Sequence, residues 1–233
     1  MDSIIVFDMD GVLAEVTESY REGVVKTVEH FTGQRIAREL VQKYKNVGGW
    51  NNDWALSQRI CADLGHRVDY ETVVDHFNEI FFGRNGDGLI QRERWFPEPG
   101  FLERLKTRFG LAIFTGRLRY ELEFTLHRFA PQLFFDPIIC AEHVANSKPA
   151  PDGLLAIQRR KPGRRLWYVG DTVDDARSAR AAGVPFIGVL ARSHSHREEL
   201  QQLFEREHAA AIIENVNDIE TVLPEPRPSG SGL

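Results

Sequence analysis

Six short apolar runs constrain this chain more than any other feature: SIIVF (3–7), LAIF (111–114), PIIC (137–140), LWYV (166–169), FIGV (186–189) and AAII (210–213). Continuous apolar runs of this length, without polar alternation, suit strands buried on both faces. Helical patterns lie between the later runs, such as Leu122, Leu126 and Phe129. Short apolar strands alternating with helices predict an α/β fold whose parallel sheet is covered on both sides.

No such run occurs between Glu15 and Phe96. That span instead carries Val24, Val28 and Phe31, then Leu56, Ile60 and Leu64, then Val73, Phe77 and Ile80, each set on one face of a helix. The expected organisation is therefore a core of residues 1–14 and 97–224 interrupted by a helical insertion, 15–96. The two prolines of FPEPG (96–100) mark the return to the core. The Pro/Gly/Ser-rich end, 225–233, is expected to be a disordered tail.

Composition narrows the partners. The chain has 34 acidic and 29 basic residues, a net charge of -5, which gives no general attraction to nucleic acid or an anionic membrane. The first apolar run is broken by Asp8, so it reads as neither a signal peptide nor a membrane span. Cys61 and Cys140 have no metal-ligand spacing and read as reduced core thiols of a cytoplasmic protein. The basic stretch QRRKPGRR (158–165) suits a helix C-terminus, and SHSH (193–196) a solvated loop.

The polar residues of interest fall just beyond the strands. Asp8 and Asp10 follow the first run, TGR (115–117) the second, SKPAP (147–151) comes shortly after the third, and GDTVDD (170–175) follows the fourth. In open α/β sheets, ligands bind beyond the carboxyl ends of the strands, at a switch in strand order. If the first strand is central, with the second and fourth beside it, these motifs converge. For DMDG alone three readings stand open: a turn with solvated acids, a metal-binding loop, or a nucleophile beside its acid–base partner.

With these motifs the chain resembles the haloacid dehalogenase-like superfamily, in the subfamily (IA) whose helical cap is inserted between the first and second motifs. DMDG, Thr115, Lys148 and GDTVDD stand as its four motifs, and the match runs from Ile4 to about Gly188. The resemblance implies a three-layer Rossmannoid core with an α-helical cap. It further implies a magnesium ion held by Asp8, the backbone carbonyl of Asp10, and Asp171. Asp175 is expected to help through a water or a hydrogen bond, with Asp174 as the less favoured choice.

The implied chemistry can be rebuilt from the residue types. Phosphoryl transfer needs an in-line nucleophile, neutralisation of charge and protonation of the leaving oxygen. Asp8 is the candidate nucleophile, forming an aspartyl-phosphate, and Asp10 the candidate acid and base. Thr115 offers a hydroxyl and Gly116 an N–H to the phosphoryl oxygens, with Arg117 beside them. Lys148 can pair with both Asp8 and the phosphate. In the cap, Trp50, Asn52 and Asp53 of KNVGGWNNDW (45–54) are candidates for reading the leaving alcohol, with Trp54 as a second wall. Tyr20 and Arg21 near the hinge are candidates for a further contact.

The expected function is magnesium-dependent hydrolysis of a small phosphorylated metabolite. A sugar phosphomutase on the same core is the alternative. A non-catalytic phospho-ligand binding protein would be marked by a lost motif residue, and none is lost. Dehalogenation has no need of Asp10 or the acidic fourth motif. Neither the particular substrate nor an oligomeric state follows from the sequence.

Overall fold

The computed structural model describes residues 2–224; the expected tail, 225–233, lies outside them. The chain opens with β1 (Ser3–Phe7) and β2 (Ala14–Glu15), then runs through a π-helical turn at Thr17–Arg21 into α1 (Glu22–Thr32), α2 (Arg38–Val47), α3 (Asp53–Asp63) and α4 (Tyr70–Phe82). It returns through β3 (Arg94–Trp95) to α5 (Phe101–Lys106), β4 (Gly110–Phe114), α6 (Arg119–Phe129) and β5 (Ile138–Ile139). Then follow α7 (Asp152–Arg160), β6 (Arg165–Gly170), α8 (Val173–Ala182), β7 (Phe186–Val189), α9 (Arg197–Arg206) and β8 (Ala211–Ile213).

All six apolar runs form strands of one sheet, in the order β5-β4-β1-β6-β7-β8, and every pairing is parallel. β1 is flanked by β4 and β6, as the motif argument required. Its alternate side chains feed two cores. Ile5 and Phe7 join Leu102 and Leu105 of α5 and Leu122 of α6 on one face. Ile4 and Val6 join Leu154 of α7, Ala176 of α8 and Phe204 of α9 on the other. The period of two along a strand thus becomes a three-layer α/β sandwich.

The helical insertion is built as the apolar spacings predict. Val24 and Val28 of α1, Leu56 and Ile60 of α3, and Val73 and Phe77 of α4 are all buried. Helix α2 has no comparable stripe, with Val41 its one buried apolar residue. One feature of the 15–96 span departs from expectation: it is not free of strand. β2 and β3 pair antiparallel, Ala14 with Trp95 and Glu15 with Arg94, where the insertion leaves and rejoins the core. Strands of two residues carry no readable period, which is why sequence pattern misses them. Cys61 and Cys140 are both buried and unpaired.

Candidate active site

The carboxyl ends of β1 and β6 carry a compact charge network. Lys148 Nζ donates at 2.7 Å to Oδ1 of Asp8 and at 2.7 Å to Oδ1 of Asp175. Asp175 Oδ1 also accepts from the Tyr168 hydroxyl at 2.6 Å, and its Oδ2 accepts from the Thr172 N–H (3.0 Å) and hydroxyl (2.6 Å). Burial alone would raise this carboxyl; Lys148 and the other donors reverse that and hold it below the usual range. With its oxygens engaged in this way, Asp175 positions Lys148 rather than reaching into open space. The other two acids are held differently. Burial pushes Asp8 well up despite Lys148, and burial together with Asp175 lifts Asp171 to about 7.

Oxygens of Asp8, Asp171 and Asp175 lie within 4.8 Å of one another. Asp171 Oδ1 is buried without a hydrogen-bond partner, a costly state unless a ligand completes it. An all-oxygen donor set with one such open position fits a hard divalent cation. Gly11 makes the close approach possible: its φ is +74°, and a Cβ there would fall 1.9 Å from Asp171 Oδ2.

The loop after β4 supplies Thr115, Gly116 and Arg117. Thr115 Oγ1 accepts the Arg117 N–H at 3.1 Å, which turns the hydroxyl inward. Arg117 itself is only 2% exposed. Its Nε donates to Asp10 Oδ1 at 2.8 Å, Nη2 to Glu93 Oε1 at 2.8 Å, and Nη1 to Thr125 Oγ1 at 2.7 Å. Thr125 passes its own proton on to Glu93 Oε2 at 2.7 Å. The guanidinium therefore has its three nitrogens engaged, with Asp10 Oδ1 among their acceptors. Nothing at the sequence level linked Arg117 to Glu93, 24 residues earlier.

From the insertion, Tyr20 and Arg21 on the π-helical turn approach the same ground. Arg21 stands 3.8 Å from Asp171, and Tyr20 stacks over the Arg117 guanidinium at 4.8 Å. Lys45 of α2 pairs with Asp53 at 2.9 Å. Asp53 is pushed up by burial against the pull of Lys45. The loop between α2 and α3 is tied to the core by Asp174, whose Oδ2 accepts the Gly49 N–H (2.7 Å) and Asn51 Nδ2 (2.9 Å). Gly48 sits at φ +92°, a backbone conformation that residues with a side chain rarely adopt, and a Cβ there would also displace Arg177 Nη1. Asp174 thus serves the insertion, and it is not among the acids grouped around Lys148.

Two cavities adjoin in this region. A chamber of about 40 Å³ is lined by Asp8, Asp10, Arg21, Lys45, Lys148, Asp171 and Thr172, among others. A neighbouring cavity of about 90 Å³ shares Asp10, Tyr20, Asn51, Asp53, Gly116 and Lys148 with it, and adds Asn52, Trp54, Phe77, Thr115, Arg117 and Glu121. The structure so brings together every core residue singled out from sequence. It does not bring Trp50 to either cavity: that indole packs edge-on to Tyr44, with ring centroids 6.0 Å apart. Asn52 reaches the second cavity but is also engaged as the N-cap of α3, accepting from Ala55 and donating to Tyr70. Sequence reasoning did not single out Lys45, Glu93 or Glu121. For Glu121 a signal existed, since it places an acid at helical spacing beside Leu118, Leu122 and Thr125, the last two of which are buried.

Comparison with known proteins followed the same lines. Residues 5–189 match the family model for haloacid dehalogenase-like hydrolases. The phosphoglycolate phosphatase of Haemophilus influenzae is 26% identical over 196 residues, covering 80% of this chain and 84% of that one. A Phytophthora nicotianae imidazoleglycerol-phosphate dehydratase is 32% identical over 208 residues, 85% of this chain; the match spans only 45% of that longer protein. Among solved structures, phosphatase Tt82 of Thermococcus thioreducens superposes with a TM-score of 0.63 at 26% identity, covering 87% of this chain and 99% of that one.

Proposed function

This chain belongs to the haloacid dehalogenase-like hydrolases, and on that premise we propose that it hydrolyses a small phosphate monoester through an aspartyl-phosphate on Asp8. The observation carrying this reading is the convergence of Asp8, Asp10, Lys148 and Asp171 on one chamber. The relatives' names support a phosphorylated small molecule as substrate and leave its identity open.

In this reading an Asp8 carboxylate oxygen attacks phosphorus in line, forming the Asp8 O–P bond as the ester P–O bond breaks. Lys148, already paired with Asp8, offsets negative charge on the phosphoryl oxygens. The Thr115 hydroxyl and Gly116 N–H donate to those oxygens. Asp10 gives its proton to the departing alkoxide and then takes one from the water that attacks phosphorus, which releases phosphate and restores Asp8. Arg117, braced by Glu93 and Thr125, fixes the orientation of Asp10 for both transfers. Asp8 and Asp171 would hold a magnesium ion, with the Asp10 carbonyl as the family resemblance implies. When bound, that ion supplies charge neutralisation at the phosphate. We read the helical insertion as a cap that closes over the leaving group, held by the Asp174 contacts to Gly49 and Asn51.

The test is phosphate release from p-nitrophenyl phosphate. Wild-type protein with magnesium should turn it over, chelator should stop it, and Asp8→Asn should fall to background while remaining folded. Wild-type rates from Asp8→Asn would remove the nucleophile assignment. With a sugar monophosphate, an isomer as main product in place of free phosphate would shift the reading to a mutase.

A further inference from the structure

The cavity beside the phosphate chamber carries an electrostatic signature of its own. Glu121 is 3% exposed and Tyr20 7% exposed. Glu121 Oε1 and the Tyr20 hydroxyl are buried and face each other, short of a well-aligned hydrogen bond, and both residues line this cavity. The other Glu121 oxygen is committed, accepting the Leu118 N–H at 2.7 Å. A buried pair satisfied only this loosely leaves room for a donor from a ligand.

The charges at this end favour one kind of donor. Arg117 is the guanidinium here, and it already faces Asp10 and Glu93. Glu121 therefore adds a third carboxylate to a set holding one cation. Lys45 is taken up by Asp53, and Lys148 by Asp8 and Asp175 at the phosphate end. The indole of Trp54 and the ring of Phe77 supply aromatic walls, which attract a cation and repel nothing apolar. A volume of about 90 Å³, against roughly 10–15 Å³ of such space for one water, admits a short aminoalkyl group or a five-membered ring.

Resting on the phosphatase reading above, we propose that this cavity selects phosphate esters whose alcohol carries a cationic nitrogen, an ammonium or an imidazolium, bound by Glu121 and Tyr20. An anionic alcohol such as glycolate would instead meet Asp10, Asp53 and Glu121, the carboxylates that line this cavity. The cavity thus separates this chain from the relative named for phosphoglycolate. No new chemical step is involved; the nitrogen keeps its proton, and only the binding of the leaving alcohol is at stake.

The experiment is a matched series with the full chain and magnesium at pH 7.5, reading kcat/KM for phosphate release. The esters are those of 3-aminopropanol, 2-(imidazol-4-yl)ethanol, neutral 1-butanol and anionic glycolate, with p-nitrophenyl phosphate as the generic ester. The 3-aminopropyl ester, fully cationic at this pH, should exceed the butyl ester by tenfold or more, with the imidazolyl ester, largely neutral at pH 7.5, between them and phosphoglycolate the poorest of the series. Glu121→Gln, which keeps an oxygen for the Leu118 N–H, should bring the cationic-to-neutral ratio close to one, and Tyr20→Phe should lower it less. Equal rates for cationic and neutral esters, or a preference for phosphoglycolate, would overturn the proposal while p-nitrophenyl phosphate turnover left the phosphatase reading standing. Absence of release from every ester would overturn both. If neither variant folds, the wild-type series alone decides.

Discussion

Asp175 and Glu121 occupy the same place in two helices, the third residue of the first turn, in α8 and α6, and each accepts the backbone N–H of the residue before its helix. Both are buried. Yet Asp175 lies below the ordinary carboxylate range, while burial lifts Glu121 to about 7. The difference is not the helix end, which favours an anion in both. It is that Asp175 meets Lys148, Tyr168 and Thr172, whereas Glu121 has no cation bonded to it and only a loose contact with the Tyr20 hydroxyl beside the cavity. A carboxylate held by a lysine and three further donors is kept charged; one without them gives way to burial.

The strongest way to break that contrast is to give Asp175 the isolation of Glu121. Lys148→Ala leaves Asp8 and Asp175 buried without their shared cation, and should cost about 3–5 kcal/mol of stability in metal-free protein. Turnover should fall by about 10²–10³-fold as charge stabilisation is lost. Denaturant unfolding and p-nitrophenyl phosphate hydrolysis report the two effects separately. Stability within 1 kcal/mol of wild type, roughly the value of an exposed pair, would mean the pair is far better solvated than its burial indicates.

At the other end, the raised carboxyl of Glu121 should be visible in the pH dependence of stability. Between an unfolded value near 4.5 and a folded value of about 7, the folded protein keeps a proton that the unfolded chain has released. Stability contributed by this group is therefore complete below about 4.5 and lost as pH rises through 7, by up to roughly 3 kcal/mol. Glu121→Gln should remove that slope, measured as the change in urea unfolding free energy between pH 5 and pH 7.5. Identical slopes in wild type and variant would place Glu121 in ordinary solvent.

A finer comparison concerns Arg117, which we read as acting through Asp10. Arg117→Lys keeps the charge but loses the fork that touches Asp10, Glu93 and Thr125 together. A drop in kcat of about 10–100-fold, with KM little changed, is expected from a displaced acid–base group. A change confined to KM would instead assign Arg117 to direct substrate binding. The smallest effect is expected at Asp174→Asn, which can still accept from Gly49 and Asn51 but without charge. KM should rise by about three- to tenfold, the equivalent of roughly one weakened hydrogen bond, with kcat nearly constant. An unchanged KM would show that these contacts do not govern closure.

What the sequence determined by itself was the sheet, its central strand and the motifs beyond its strand ends. These depend on local patterns, apolar runs and the polar residues that follow them, so they can be read one segment at a time. The acids of VDD, Asp174 and Asp175, show where that reading stops. Neighbours on an α-helix point about 100° apart, so only one could face Lys148, and which one depends on how α8 is docked. The tertiary structure turned Asp175 to the lysine and Asp174 to the loop of the insertion. It likewise sent Trp50 against Tyr44 and Trp54 into the cavity, because the turn at Gly48 and Gly49 sets the direction in which the following residues leave. Glu93, Glu121 and Lys45 entered the site for the same reason. Lys45 and Glu93 lie in the 15–96 span and Glu121 on α6 of the core, and only the packing of these separate elements brings their charges within reach of Asp10 and Asp171.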